Sequence, residues 1–147
     1  KTMINNYAKN HLLPPPDRKK YSKEHILLLI YIYYYKGILS IGDIEHLLEP
    51  LTERFFHTDK QLDMQAIYQE VFSLEKAEVE RLKEEVVAKY KLSSGLFPDA
   101  EDGDRQFLQI FSFICLLSFD VYVKKQVIEK LIDQLPQNNE GKKHHKE

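Results

Sequence analysis

The sequence predicts a mainly α protein, and three observations support this. Serine residues that can cap helices precede long apolar segments at Ser22 and Ser40. Three consecutive prolines separate a short polar helix from the first of these segments. Apolar residues then recur at helical spacing over most of residues 62–92 and 105–135. We therefore expect a short helical N-terminal part followed by a larger all-helical body.

The composition limits the class of protein. The chain has 147 residues, 43% hydrophobic and 30% charged, which is enough for one core or for a small module with a second body. A single cysteine, Cys115, excludes an internal disulfide and a metal site with several thiolates. The longest uninterrupted apolar run, at 26–35, is too short to cross a bilayer. We expect a cytoplasmic protein without a membrane partner.

The N-terminal helix is predicted at residues 3–10, with Thr2 as its cap. Helical spacing places its apolar residues on one face and its short polar residues elsewhere. Asn5, Asn6 and Lys9 are the polar group. Carboxamides can donate to and accept from adenine edges, so this helix has the side chains of one that enters a major groove. A solvated surface helix would carry the same residue types.

Segment 14–21 is predicted to be an extended arm that ends in a polar turn. Prolines 14–16 exclude a helix, and Asp17, Arg18, Lys19 and Lys20 form the turn, with Tyr21 at its base. Three cations within one turn can bind phosphate oxygens rather than bases. Charge is also unevenly distributed, because residues 1–36 carry a net charge of +5 and the remainder carries −7. This asymmetry is typical of a nucleic-acid reader joined to an acidic body.

The rest of the chain is predicted to be helical with few interruptions. Residues 26–35 are apolar on every side, so periodicity alone does not separate helix from strand, and such a helix would have to be enclosed. Ser40 and Asp43 form a capping box, and Pro50 interrupts or kinks the helix that follows. A break is expected at 72–75 and a loop at 93–103. Asp104 is expected to cap a last helix at 105–135, whose apolar first half is either the centre of the body or a protein interface.

The N-terminal third resembles the DNA-binding end of the MerR family of bacterial transcription regulators. The resemblance rests on a helix that ends in a Tyr, a basic residue and Leu-Leu, followed by proline, a basic wing and an aromatic residue. The residues that fit this pattern are Tyr7, Lys9, Leu12, Leu13, Pro14, Arg18, Lys19, Lys20 and Tyr21. A second block, IYIYYYKGILSIGDIEHLL at 30–48, resembles the family's next helix, its turn and the following helix start. The chain as a whole resembles a group of small uncharacterised bacterial proteins with such an N-terminal part.

The resemblance implies a winged helix-turn-helix-like part at 1–57, a helical dimerisation or effector body at 58–135 and a disordered tail at 136–147. Because the family's domain opens with a strand and a helix before the recognition helix, we expect the chain to begin inside its domain. The implied partners are double-stranded DNA, a second copy in a homodimer and an unknown effector. The implied DNA-binding residues are Asn5, Asn6, Tyr7, Lys9, Arg18, Lys19, Lys20 and Tyr21.

No catalytic motif occurs in the sequence, so we expect no enzyme, no metal and no cofactor. The leading hypothesis is a sequence-specific DNA-binding transcriptional regulator, with residues 3–10 in the major groove and the wing at 14–21 on phosphates. The alternative is a non-enzymatic helical protein-interaction module with a vestigial wing. A third hypothesis is a small-molecule carrier that uses the Tyr- and Phe-rich segments.

Overall fold

The structure is a computed structural model that describes residues 2–136, with side chains from Ile4 onward. In that range it contains α1 (Thr2–Lys9), α2 (Lys23–Tyr35), α3 (Ile41–Phe55), α4 (Met64–Ser73), α5 (Glu75–Ser94) and α6 (Asp102–Asp133). No β-strand occurs in this part of the chain, although an isolated antiparallel bridge joins Asp17 to Lys20. The predicted mainly α class is confirmed. The predicted tail lies outside the described residues, apart from Pro136.

The chain divides into two compact units. The first contains the described residues up to Gln65 and those from Val127 onward, and the second is Ala66–Gln126. The buried apolar side chains all belong to the first unit: Leu12, Leu13, Leu28, Tyr31, Ile32, Leu39, Ile44, Leu48, Met64 and Ile132. Each fully buried side chain of this kind contributes about 1.5–3 kcal/mol relative to an exposed one. This core fixes α2 and α3 and holds the chain that leaves α1.

The apolar segment after Ser22 forms a helix, which settles the choice between helix and strand that periodicity left open. Leu28 and Ile32 are fully buried. The expectation that the whole helix is enclosed is wrong, because Ile26, Tyr33 and Tyr34 are 55%, 68% and 49% exposed. A run of residues that is apolar on every side predicts a helix that is buried on every face. Within this chain only one face of the helix is buried.

The predicted capping box begins α3. The Asp43 N–H donates to Ser40 Oγ over 3.1 Å, and the Ser40 N–H donates to Asp43 Oδ2 over 3.2 Å. The helix then continues through Pro50 to Phe55. The predicted break between the next two helices is also confirmed, since Leu74 separates α4 from α5.

The last helix begins earlier than predicted. Asp104 was expected to precede the helix as its cap, but α6 starts at Asp102, so that both carboxylates lie in the first turn. Negative charge in the first turn is favourable because the helix dipole is positive there. The helix also ends at Asp133 instead of residue 135.

In the second unit, α5 and α6 pack antiparallel. The rings of Tyr90 and Phe113 lie edge to face with centroids 5.6 Å apart, and Lys89 Nζ lies 2.6 Å from Asp120 Oδ2. Large apolar side chains remain exposed along α6 from Phe107 to Tyr122. Of the two roles predicted for this half of the helix, the centre of a helical body is therefore wrong, and a protein interface stays a prediction. By length and composition alone α6 could also cross a membrane, and none of its most apolar window is buried.

Candidate nucleic-acid interface

The first part of the candidate interface is the outer face of α1. Asn5, Asn6 and Lys9 are exposed, whereas Ile4 and Tyr7 are half-buried. The Leu12 N–H donates to the carbonyl of Tyr7 over 2.9 Å, and Leu12 and Leu13 are buried directly after the helix. The predicted division of α1 into an anchored apolar face and a free polar face is therefore present. Its free face presents two carboxamides and one ammonium group.

The second part is a tight basic turn at residues 17–20. The Lys20 N–H donates to the Asp17 carbonyl over 2.7 Å, and the backbone φ angles of Arg18 and Lys19 are +45° and +66°. Positive φ at both central positions is the geometry of a type I′ turn, which favours Asn and Gly. Here two long cationic residues occupy it. The predicted polar turn is confirmed, and the side chains of Arg18, Lys19 and Lys20 are all exposed.

Non-glycine residues at positive φ cost free energy, of order 1–3 kcal/mol each. Such backbone strain is concentrated at binding and catalytic sites, where the surrounding structure holds it in place. In this turn the surroundings are the prolines on one side and the anchored Tyr21 on the other. The turn therefore holds its three cations close together at the end of a stiffened arm.

The base of the arm is anchored on His25. The Tyr21 ring lies edge to face with His25 at 5.3 Å between centroids, and the His25 ring also lies edge to face with Phe56 at 4.9 Å. His25 is only 1% exposed. The predicted role of Tyr21, to pin the base of the arm, is met by this ring contact, although 44% of Tyr21 remains exposed.

Polar contacts add to this anchor. The Ser22 N–H donates to His25 Nδ1 over 3.0 Å, which joins the end of the arm to the first turn of α2. The His57 N–H donates to Glu24 Oε1 over 2.9 Å, and His57 Nε2 lies 3.4 Å from Glu24 Oε2. The arm, the start of α2 and the residues after α3 thus meet around one buried ring.

The sequence predicts His25 only as part of a polar first turn, and its central position was not predicted. One signal could have identified it: His25 stands three residues after the cap Ser22, the spacing of a capping box. A side chain at that position reaches back to the cap's N–H and is drawn toward the helix start. The sequence therefore predicts this anchor only if histidine is accepted as a hydrogen-bond acceptor at the capping-box position.

The structure groups the candidate residues in two places within the first unit. Arg18, Lys19, Lys20 and Tyr21 lie together on the basic turn and its base, while Asn5, Asn6, Tyr7 and Lys9 lie on α1. Among the described residues, no group of three or more His, Cys, Asp or Glu side chains is arranged to hold a metal ion. The carboxamides on α1 can form hydrogen bonds, and the cations of both groups can neutralise negative charge on a ligand.

Comparisons with known proteins bear on the same part of the chain. Residues 1–71 match the family model described as "Domain of unknown function (DUF1836)", which includes α1, α2, α3, the basic turn and most of α4. No curated protein and no solved structure shows a significant match to the chain. All eight candidate residues lie within the matched range. Residues 1–71 are therefore similar to this uncharacterised family.

Proposed function

We propose that the chain is a sequence-specific DNA-binding transcriptional regulator of MerR-like type. In this proposal α1 enters the major groove and the basic turn contacts the phosphate backbone. The observation that carries it is the strained turn at Arg18 and Lys19, which displays cations at positions where a type I′ turn usually has Asn or Gly. The contact between Tyr21, at the base of that turn, and the buried His25 ring further supports the proposal.

The chemistry of α1 suits base recognition. A carboxamide can bond both N6 and N7 of an adenine in the major groove, and each such paired contact discriminates by about 1–3 kcal/mol. Asn5 and Asn6 are exposed on a helix whose other face is anchored, so their side chains can approach bases without unfolding the core. Lys9, one turn after Asn5, adds a cation to the same helix.

The chemistry of the basic turn suits phosphate binding. Exposed Arg and Lys side chains neutralise phosphates and release counterions, which makes binding strongly salt-dependent. Lys23, in the first turn of α2, is also exposed close to the turn in sequence. With the +5 charge of residues 1–36 against −7 for the remainder, residues 1–36 would carry the attraction to DNA.

A second candidate function is a protein-interaction module in which the arm is vestigial. The observation that favours it is the exposed apolar face of α2, where Ile26 and Tyr33 are more than half exposed. This reading predicts a protein partner on α2 and no requirement for Arg18 or Lys19. The two candidate functions differ in one measurable property: only the transcriptional regulator should select particular DNA sequences.

Selection from a pool of duplexes with a randomised core tests the proposal directly. A regulator should enrich a defined motif over successive rounds, and Asn5→Ala should blur that motif at one or two positions. Glu53→Ala, an exposed change on α3, is the matched control and should select the same motif as the parent. Enrichment of no motif, with equal recovery of all sequences, would contradict sequence-specific binding.

A further inference from the structure

His25 is a buried titratable side chain whose charge plays no part in the proposed function. Its ring is 1% exposed, and Nε2 has no hydrogen-bond partner among the residues that the structure describes. Nδ1 accepts from the backbone N–H of Ser22 over 3.0 Å and lies 2.8 Å from the Ser22 hydroxyl oxygen. The ring therefore holds the start of α2 through one nitrogen and keeps the other away from water.

The hydrogen bond from Ser22 to His25 exists only while the ring is neutral. A neutral imidazole has one donor nitrogen and one acceptor nitrogen, whereas a protonated ring has two donors and no acceptor. Protonation would therefore leave the Ser22 N–H facing a second donor. Histidine is the side chain that ordinarily changes charge between about pH 5 and 8, so this bond can be lost in mild acid.

The capping box of α3 is built in the same way but has a different acceptor. The Ser40 N–H donates to Asp43 Oδ2 over 3.2 Å, with the same spacing of three residues. A carboxyl group can accept hydrogen bonds whether or not it is protonated. In acid the box of α3 therefore keeps an acceptor, while the box of α2 loses its only one.

The groups that face the His25 ring do not neutralise a positive charge on it. Tyr21, from the arm, and Phe56, from the end of α3, contact it through uncharged rings. The ring of His57, on the segment after α3, lies 6.1 Å away between centroids and would carry a like charge when protonated. Glu24 is the carboxylate beside them, and its oxygens lie 2.9 Å from the backbone nitrogen and 3.4 Å from Nε2 of His57. A buried charge without a partner costs free energy.

The basic arm depends on these contacts at its base. Its turn at 17–20 is joined to α2 through Tyr21, which packs on the His25 ring, and Ser22, which bonds to it. Lys20 and Lys23, both exposed, stand on either side of this base in the sequence. A third cation between them adds repulsion. Protonation of His25 therefore weakens the attachment of the arm to α2.

We propose that the base of the basic arm is a pH-sensitive switch, in which protonation of His25 releases Ser22 and lets the arm move away from α2. His57 responds in the opposite sense: its side chain is 56% exposed, and when protonated it forms an ion pair with Glu24. The proposal concerns the arm itself and does not depend on DNA binding. If the proposed function also holds, acid would displace the basic turn from phosphates even though the positive charge of the chain rises.

Nuclear magnetic resonance of the whole chain between about pH 7.5 and 5.5 tests the proposal, because histidine changes charge in this range. Imidazole ¹⁵N shifts give the protonation state of His25, and hydrogen exchange, corrected for its intrinsic pH dependence, gives the protection of each amide. The protection of the Ser22 amide should fall by roughly fivefold as His25 becomes charged, the factor for one net hydrogen bond. The Ser40 amide is the internal control and should keep its protection.

Two substitutions identify the responsible side chain. His25→Gln keeps an uncharged acceptor at the capping-box position, so the Ser22 amide should stay protected across the whole pH range. His46→Gln is the matched control, since His46 is a half-buried histidine on α3 whose Nε2 also lacks a partner in the described part of the chain. This variant should respond to pH as the parent does.

Three results would overturn the proposal: a His25 ring that is still neutral at about pH 5.5, equal loss of protection at Ser22 and Ser40, or a His25→Gln variant that loses protection as the parent does. Far-UV circular dichroism of the parent should show the same helix content at both ends of the range. A loss of helix there would mean that acid unfolds the chain instead of releasing the arm, and would also overturn the proposal.

Discussion

The backbone N–H of Ser22 donates to Nδ1 of His25 over 3.0 Å, and the acceptor ring is 1% exposed. The bond places an imidazole where capping boxes usually place Glu or Gln. Nδ1 is the acceptor of this bond, whereas Nε2 of the same buried ring has no hydrogen-bond partner in the described part of the chain. The same ring supports Tyr21 and Phe56, so one side chain both caps α2 and anchors the basic arm.

Two substitutions separate these roles of His25. His25→Phe keeps an aromatic ring between Tyr21 and Phe56 but loses the acceptor, and we expect the free energy of unfolding to fall by about 1 kcal/mol. His25→Ala removes both the acceptor and the ring packing, and should cost about 2–4 kcal/mol. Urea unfolding measures both values. If His25→Ala is no worse than His25→Phe, the ring packing contributes nothing to stability.

A substitution at Lys19 in the strained turn should raise the stability of the chain and weaken its binding to DNA. Lys19 has φ of +66°, a conformation that glycine adopts without a steric penalty. Lys19→Gly should therefore raise the free energy of unfolding by up to about 1 kcal/mol. The same change removes one cation and should reduce the salt slope of DNA binding by about 0.9.

The matched control is Lys23→Gly, since Lys23 is a cation in the helical first turn of α2. It should lower stability, by about 0.5–1 kcal/mol, because glycine is unfavourable in a helix. A Lys19→Gly variant that is less stable than the parent would contradict the assignment of strain to this turn.

The start of each central helix could be predicted from the sequence, and the reason is local. Ser22 and Ser40 are good caps, and an acceptor follows each of them three residues later. The turn at 17–20 was also predictable, since prolines exclude a helix before it. Its left-handed backbone was not, because Arg and Lys have no preference for positive φ.

Which apolar faces are covered could not be predicted. Periodicity shows that Phe107 and Ile114 belong to one face of a helix, but it does not show whether the same chain packs against that face. The same limit explains the exposed Ile26 and Tyr33 on α2. Whether an apolar helix face is buried depends on packing against residues that are distant in the sequence. A helix with an apolar face can therefore belong either to a core or to an interface with another molecule.

The ion pair between Lys89 and Asp120 gives a pH prediction. The hydrogen bond from Lys89 lowers the pKa of Asp120, and the hydrogen bond to Asp120, together with Glu85, raises the pKa of Lys89. A lowered carboxyl pKa contributes stability above its unfolded value that is lost as the pH falls through the folded pKa. A raised lysine pKa contributes stability that is lost as the pH rises through its folded value.

We therefore expect the melting temperature of the chain to fall on acidification below about pH 4, the ordinary range of Asp. Asp120→Asn should melt lower than the parent at neutral pH, and the difference should narrow in acid as the parent's own carboxylate is neutralised. Asp99→Asn, an exposed change in the loop before α6, serves as the control and should follow the parent. A difference that is independent of pH would show that the charge of Asp120 does not stabilise the unit.

Asn5 gives a prediction about specificity. Asn5→Ala removes a carboxamide from the exposed face of α1 and leaves the basic turn intact. We expect binding to the preferred duplex to weaken by about 1–3 kcal/mol and binding to a scrambled one to change little. Competition binding with the two duplexes measures this difference. Equal weakening on both would mean that Asn5 does not read a base.

The most direct test of the account is fluorescence anisotropy of the chain with double-stranded DNA from its own upstream region, titrated at two salt concentrations. The variant with Arg18, Lys19 and Lys20 changed together to Ala is measured beside it. We expect salt-sensitive binding by the parent and a salt slope in the variant that is smaller by about 0.9 for each phosphate that it no longer neutralises, up to about 2.7 for three. Binding by the variant with the same affinity and the same slope as the parent would contradict the assignment of the basic turn to DNA.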